Sequence, residues 1–278
     1  MQPPLLALSL VSFLAGLPCA PAQTAAASGT LGSTFYDWGT LVQAPTPSGS
    51  RCEVVDSPTL TFDRLSIHIT TLRAGLAVHP PQSHSQEEVV LIKEGTLEIS
   101  LNGQKLRAGP GELLFLAARA VHNLTNVGDG PASYYVIDVY TGASATVPNR
   151  PESDWLPAGK LHSTLFDCDN IPAKPNPNGS RRSVVDSPTF TFAEFESHLT
   201  TLAPGKSTPV LTDPADEIIV IKSGLVEVSI KSVSCRMGPG SFYFQASNDV
   251  HKVTNLGATP ATYQVIKFVT EKTPKPPA

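Results

Sequence analysis

Charged residues and helical periodicity are both scarce in this sequence. Charged residues make up 16% of the 278 residues, the formal net charge is −4, and no block of basic residues occurs. Because nucleic-acid binding depends on clustered lysine and arginine, these values argue against a nucleic-acid partner. No stretch keeps a helical hydrophobic period over three turns, and the glycine segments form no phosphate-binding loop. The absences exclude a mainly helical protein and a P-loop nucleotide-binding protein.

Cysteine is also scarce, with four in the whole chain. If Cys19 is removed with a leader segment, the remaining Cys52, Cys168 and Cys235 are odd in number and cannot form a complete set of internal bridges. Their spacing does not match a zinc site. We therefore expect mostly buried small residues, with one disulfide at most and a pairing that the sequence does not assign.

The N-terminal segment has the features of a secretory signal. An apolar run from Leu5 to Leu17 is followed by small residues that end at Ala22. The run is too short to span a bilayer comfortably. The sequence therefore predicts a cleaved signal peptide over residues 1–22, a secreted or periplasmic protein, and no stable membrane anchor.

The rest of the chain is a tandem duplication. The segment 54–62, Val-Val-Asp-Ser-Pro-Thr-Leu-Thr-Phe, returns at 184–192 with one change, and Gly-Pro-Gly occurs at both 109–111 and 238–240. The offset falls from 186 − 56 = 130 to 238 − 109 = 129, so one residue is missing from a loop of the second copy. We predict domains at 31–142 and 161–270, a proline-containing linker at 143–160 and a disordered tail at 271–278.

Short segments rich in β-branched residues predict an all-β fold. Residues 89–92 and 96–101 are apolar or alternating, and Asn102-Gly103 follows them as a strong hairpin signal. Many short strands separated by regular turns are typical of a sandwich or a barrel.

One set of polar residues in the first copy is suited to metal binding. Gln82, His84 and Glu88 have equal parity, so an extended backbone places them on one face. His122 follows after enough chain for strands to return, and a barrel would bring it opposite. Two imidazoles, a carboxylate and an amide oxygen suit a divalent first-row metal.

These residues resemble the motifs of the cupin family, and two copies resemble a bicupin. The first cupin motif has a glycine, two histidines one residue apart, a glutamate and a further glycine, and the second ends in a histidine followed four residues later by asparagine. The matching positions here are Gly75, Gln82, His84, Glu88, Gly95, His122 and Asn126. The resemblance implies two tandem double-stranded β-helix barrels, also called jelly rolls, with one divalent metal (Mn, Fe, Zn or Ni) in the first.

Gln82 stands where the family usually has its first histidine. A glutamine at this place resembles the zinc arrangement of cupin phosphomannose isomerases. Without Gln82, His84, Glu88 and His122 would still form a face of two histidines and one carboxylate with open positions. His79 could substitute for Gln82 if its loop folds inward.

The second copy departs further from the family pattern. Leu211 and Asp213 stand at the two histidine positions, while Glu217 and His251 keep their places. Asp213, Glu217 and His251 are a second candidate metal set. The alternative is a structural domain that pairs with its metal-binding neighbour.

Together these features predict an exported bicupin, a metal-dependent enzyme of dioxygenase, isomerase or hydrolase type acting on a small chelating organic molecule. Glu87 or Gln86 could assist the metal. The competing hypothesis is a non-catalytic ligand-binding or scaffold protein, favoured by Gln82 and Leu211. A small-molecule ligand is expected in either case, and a homo-oligomer is compatible with both.

Overall fold

The computed structural model describes residues 29–275, and these consist mainly of β-strands and loops. The first copy contains β1 (Thr34–Tyr36), β2 (Ala44–Thr46), β3 (Gly49–Ser57), β4 (Arg64–Leu72), β5 (Glu87–Glu94), β6 (Leu97–Leu101), β7 (Gln104–Ala108), β8 (Leu113–Leu116), β9 (His122–Asn126) and β10 (Ala132–Tyr140). The second contains β11 (Thr164–Phe166), β12 (Lys174–Asn176), β13 (Gly179–Ser187), β14 (Glu194–Leu202), β15 (Asp216–Ser223), β16 (Val226–Ile230), β17 (Val233–Met237), β18 (Phe242–Gln245), β19 (His251–Asn255) and β20 (Ala261–Val269). Short 3-10 helices lie at Trp38–Thr40, Gly142–Thr146 and Glu152–Asp154. The predicted all-β class is confirmed, while the predicted signal peptide at 1–22 lies outside the described residues.

Each copy forms a jelly-roll barrel from a larger and a smaller antiparallel sheet. Barrel one combines a seven-stranded sheet, in the order β11-β8-β5-β10-β4-β3-β2, with a three-stranded sheet, in the order β7-β6-β9. Barrel two repeats this arrangement as β1-β18-β15-β20-β14-β13-β12 and β17-β16-β19. Two tandem barrels are therefore present, as the sequence predicted.

The first strand of each copy joins the sheet of the other copy. β1 pairs with β18, with Thr34 opposite Phe244, and β11 pairs with β8, with Thr164 opposite Phe115. The predicted limits at 31–142 and 161–270 follow the sequence repeat, whereas each hydrogen-bonded sheet includes one strand from the other repeat. A repeat records the order of segments along the chain and contains no information on which sheet edge a terminal strand will join.

Strand β5 is buried on both faces, which explains its nearly continuous hydrophobic sequence. Val89 belongs to a core that extends across both copies, whereas Val90 belongs to the core inside barrel one. Because successive side chains of a strand point to opposite faces, Glu87 faces the other copy and Glu88 faces the barrel interior.

Aromatic side chains fill the space between the barrels. The rings of Phe115 and Phe195 stack with centroids 5.0 Å apart, and Phe62 meets Phe268 edge-on at 5.7 Å. Full burial of one such side chain contributes about 1.5–3 kcal/mol. The two barrels therefore pack as one unit.

Two turns match their sequence signals. Asn102 and Gly103 have φ values of 48° and 82° between β6 and β7, as the predicted two-residue hairpin requires. Gly95 has a φ of 84°, and a Cβ atom there would lie 2.5 Å from the Cα atom of Ala132. Glycine is therefore required at the turn before β6.

The predicted linker is anchored by a buried carboxylate. Glu152 accepts hydrogen bonds from the Ser163 hydroxyl at 2.6 Å and from Asn102 Nδ2 at 3.0 Å, which fixes the linker to barrel one. In the predicted tail, residues 271–273 form a turn, and Lys272 pairs with Asp63. Residues 276–278 lie outside the described part of the chain.

Candidate metal centre

Three side chains that could hold a metal ion meet inside barrel one. His84 lies just before β5, Glu88 lies within β5, and His122 begins β9. Their ligand atoms all lie within 4.8 Å of one another, and His84 Nε2 is 3.0 Å from Glu88 Oε2. Among residues 29–275 this is the one such group of three histidine, cysteine or acidic side chains.

Backbone carbonyls orient both imidazoles toward the centre. Nδ1 of His84 lies 2.9 Å from the Gln86 carbonyl oxygen, and Nδ1 of His122 lies 3.0 Å from the Ala120 carbonyl oxygen. If each Nδ1 donates its proton to that carbonyl, Nε2 of a neutral ring keeps a lone pair, and at His84 a metal ion would replace the Nε2 proton shared with Glu88. The ring centroids are 5.0 Å apart, so both Nε2 atoms are available to one ion.

The pKa values of these residues reflect burial and mutual contact. Burial alone would lower the pKa of His84, but its hydrogen bond with Glu88 and the Glu88 charge outweigh burial and raise it. Burial alone would raise the pKa of Glu88, yet the hydrogen bond from His84 and the nearby imidazoles lower it. Burial lowers the pKa of His122. The set therefore favours a carboxylate and at least one neutral imidazole, the forms that bind metals.

Asp138 is a fourth polar group of this site that the sequence analysis missed. It lies opposite Glu88 on β10 and accepts a hydrogen bond from Gln86 Nε2 at 3.0 Å. Burial, and then the charge of Glu88, raise the pKa of Asp138 to about 6. Two buried carboxylates side by side repel each other unless a proton or a cation lies between them. The donor set and this repulsion fit a divalent cation.

The two further candidate ligands line the same cavity, which has a volume of about 240 Å³. The backbone of Gln82 bonds with that of His122 at 3.0 and 2.9 Å, which fixes the loop before β5 against β9, but the Gln82 side chain is exposed. The ring of His79 lies 6.5 Å from that of His122 between centroids. Both residues therefore lie at the edge of the group rather than at its centre.

Of the two residues expected to assist the metal, one reaches the cavity and the other does not. Gln86 lines the cavity and bonds to Asp138. Glu87 faces the other copy, where it accepts hydrogen bonds from the hydroxyls of Thr189 at 2.5 Å and Thr191 at 2.6 Å. The expectation for Glu87 is wrong because adjacent residues of a strand point to opposite faces.

His68 is buried and lines the cavity. Its Nδ1 has no hydrogen-bond partner in the described part of the chain. Burial, with a smaller effect of Arg51, lowers the pKa of His68 to about 4. The ring beside the candidate metal ligands is therefore neutral, and its Nδ1 is a buried nitrogen without a partner among the described residues.

The second candidate set does not form such a group. Asp213, Glu217 and His251 line one cavity of barrel two, but Lys267 lies among them, with its Nζ 3.5 Å from Asp213 Oδ2. The same Nζ is 2.9 Å from Glu196 Oε2. An ammonium group thus takes the place expected for a second metal. Comparison of the two copies would have detected this residue, because it aligns with Asp138.

Burial and the charge of Asp213 raise the pKa of Glu217 to about 8. Glu217 is therefore mainly protonated at neutral pH. A neutral carboxyl group is a poor metal ligand, which agrees with the ion pairs of Lys267.

Comparisons with known proteins agree with this architecture. The family profile described as Cupin domain matches residues 68–139 and 198–267. A comparison with curated proteins by sequence found no match.

Solved structures share the fold at low sequence identity. Oxalate decarboxylase from Bacillus subtilis, in its structure at pH 4.6, is 14% identical, with a TM-score of 0.63 and coverage of 87% of this chain and 78% of that one. AerE from Microcystis aeruginosa is 14% identical, with a TM-score of 0.62 and coverage of 84% and 99%. At this identity the likeness concerns the fold alone. Among the described residues, no helix is long and apolar enough to cross a membrane.

Proposed function

The chain belongs to the cupin family, with two cupin domains in tandem, and from this we propose that barrel one binds one divalent metal ion and acts on a small organic molecule that chelates it. The observation that carries the proposal is the convergence of His84, Glu88 and His122 within 4.8 Å in the cavity of barrel one. Two imidazoles and a carboxylate leave coordination positions open and suit Mn, Fe, Zn or Ni. A metal in this position would supply Lewis-acid polarisation and a template for a bidentate substrate.

The surrounding residues would position the substrate and handle protons. Asp138, with a pKa of about 6, holds a proton in mildly acidic solution and accepts one at neutral pH. Gln86 donates to Asp138 Oδ1 and so holds the carboxylate in place. His68 forms part of the cavity wall as a neutral ring and limits the space for the substrate.

The small volume of the barrel-one cavity limits the size of the substrate. A volume of about 240 Å³ lies below the range of about 300–1,000 Å³ usual for drug-sized ligands. Oxalate decarboxylase, which shares this fold, is named for a small substrate. This supports a substrate of similar size for barrel one. Reaction type, whether oxygenase, isomerase or hydrolase, depends on which metal is bound.

The decisive experiment is the metal content of the chain that begins at residue 23, with Mn, Fe, Zn and Ni offered in turn during expression. We expect about one metal per chain, lost in the double variant His84→Ala, His122→Ala. His251→Ala is the matched control, because His251 is the counterpart of His122 in barrel two, and it should keep the metal. Absence of metal under every condition would contradict the proposal.

A non-catalytic ligand-binding or scaffold role is the second candidate, favoured by the exposed side chain of Gln82 and by the loss of the metal set in barrel two. Metal binding alone does not separate the two roles, because a metal can also serve ligand capture. Turnover of a small chelating acid that disappears in His122→Ala would establish catalysis.

Export is part of the same proposal and is supported by the apolar run and small residues before Gln23. N-terminal sequencing of protein recovered outside the cytoplasm should begin at Gln23. A chain that begins at Met1 there would contradict cleavage.

A further inference from the structure

Barrel two contains a cavity of about 310 Å³, larger than that of barrel one. Its wall combines apolar side chains such as Ile219 and Val253 with hydroxyl and charged side chains. This volume lies at the lower end of the range of about 300–1,000 Å³ for small-molecule sites. The cavity could therefore hold a ligand of modest size.

The cations of this cavity are already paired. Lys267 contacts Glu196 at 2.9 Å and Asp213 at 3.5 Å, and Arg181 also pairs with Glu196. An anionic ligand would have to displace one of these carboxylates, and a divalent cation would meet the ammonium group of Lys267. An uncharged ligand meets neither obstacle.

Glu217 is a carboxyl group of this wall that lacks a hydrogen-bond partner. It is 8% exposed, lines the cavity, and makes no side-chain hydrogen bond with any residue of the described range 29–275. Because Glu217 lines the cavity, a ligand there can form the hydrogen bonds that no side chain of the described residues supplies. A protonated carboxyl group both donates and accepts, and so does a hydroxyl group. The raised pKa of Glu217 agrees with this protonation state.

We propose that barrel two is a metal-independent binding site for a small uncharged molecule rich in hydroxyl groups, held through the carboxyl group of Glu217. Lys267 then serves as the fixed internal cation of the barrel. The site does not depend on metal binding in barrel one, because none of its residues belongs to that cavity.

The test is saturation-transfer NMR on the chain from residue 23, with erythritol, xylitol and D-glucose as uncharged probes and succinate as the anionic probe. We expect contact with at least one uncharged probe, both in the wild type and in the His84→Ala, His122→Ala background. Because that background removes the proposed metal ligands, failure of the barrel-one proposal would leave this result unchanged.

Two substitutions of Glu217 separate hydrogen bonding from shape. Glu217→Gln keeps a group that donates and accepts, and should bind the probe within about threefold of the wild type. Glu217→Leu removes that group at similar length, and should weaken binding about tenfold or more, as expected for one lost hydrogen bond in a buried site. Leu211→Trp, at an exposed position of the cavity wall, should also reduce binding and provides a second variant if Glu217→Leu does not fold.

Three results would overturn the proposal. They are no contact with any uncharged probe, equal binding by Glu217→Leu and the wild type, and contact with succinate in place of the uncharged probes.

Discussion

Lys267 occupies in barrel two the position that Asp138 occupies in barrel one. Asp138 lies opposite Glu88 across β10 and β5, and Lys267 lies opposite Glu217 across β20 and β15. One barrel thus places two carboxylates together, whereas the other places a carboxyl group beside an ammonium group. Because of this difference in charge, the site in barrel one attracts an external cation, whereas the site in barrel two contains the cationic side chain of Lys267.

The first prediction reverses that charge in barrel one. Asp138→Lys places an ammonium group beside Glu88, so we expect metal affinity to fall by about 100-fold or more through repulsion and competition for the carboxylate. Asp138→Asn removes the charge without adding a cation and should retain affinity within about tenfold. Competition titration against a chelating dye measures both. Wild-type affinity in Asp138→Lys would show that this position does not control the site.

The second prediction removes the internal cation of barrel two. In the His84→Ala, His122→Ala background, Lys267→Ala should create a weak metal site, roughly micromolar, from residues already in the cavity. Lys222→Ala is the matched control, because Lys222 pairs with Asp169 and lines a different cavity. Equilibrium dialysis with Zn measures metal binding by both variants. If a folded Lys267→Ala variant binds no metal, then the remaining side chains, and not Lys267, limit the site.

Much of the fold could be predicted from the sequence. The duplication, the strand content and the Asn102-Gly103 hairpin are local patterns, and all three reappear in the structure. The exchange of β1 and β11 between sheets could not be predicted, because pairing of a short terminal strand depends on which edge is open in the folded protein.

The site divides in the same way between local and non-local information. The spacing of His84 and Glu88 predicted their common face, since strand parity is a local property. Asp138 lies 50 residues beyond Glu88, with no motif around it, and only the register of β10 against β5 brings the two together. The role of Lys267 likewise depends on that register in barrel two.

The third prediction concerns the pH dependence of metal binding. Glu88 raises the pKa of His84, and a metal must displace the proton of a charged imidazole. Apparent affinity should therefore fall about tenfold per pH unit below the pKa of His84 and level off above it. Calorimetry in two buffers of different ionisation enthalpy measures the proton released on binding. Glu88→Gln should weaken binding, because one ligand is lost, and should also move this transition to lower pH, because the partner that favours charged His84 is gone. An affinity independent of pH between about 5 and 8 would contradict a histidine ligand.

The fourth prediction concerns the contact between the barrels. Glu87 accepts hydrogen bonds from the hydroxyls of Thr189 and Thr191 and from the backbone N–H of Phe190 at 3.1 Å, and it is 1% exposed. Glu87→Ala leaves two buried hydroxyl donors and one partly buried backbone N–H without an acceptor, so we expect a loss of about 2–4 kcal/mol in the free energy of unfolding, measured by urea denaturation. Glu98→Ala breaks an exposed pair with Lys105 and should cost less than about 1 kcal/mol.

Metal content distinguishes this structural role from a catalytic one. Glu87 points away from the cavity of barrel one, so folded Glu87→Ala protein should bind as much metal as the wild type. Asp216 accepts hydrogen bonds from Thr59 and Thr61, both at 2.6 Å, in the corresponding contact on the other side of the interface. Asp216→Ala should therefore destabilise the protein by a similar amount. Loss of metal without loss of stability in Glu87→Ala would instead place that carboxylate in the site, and would contradict the division of Glu87 and Glu88 between the two faces of β5.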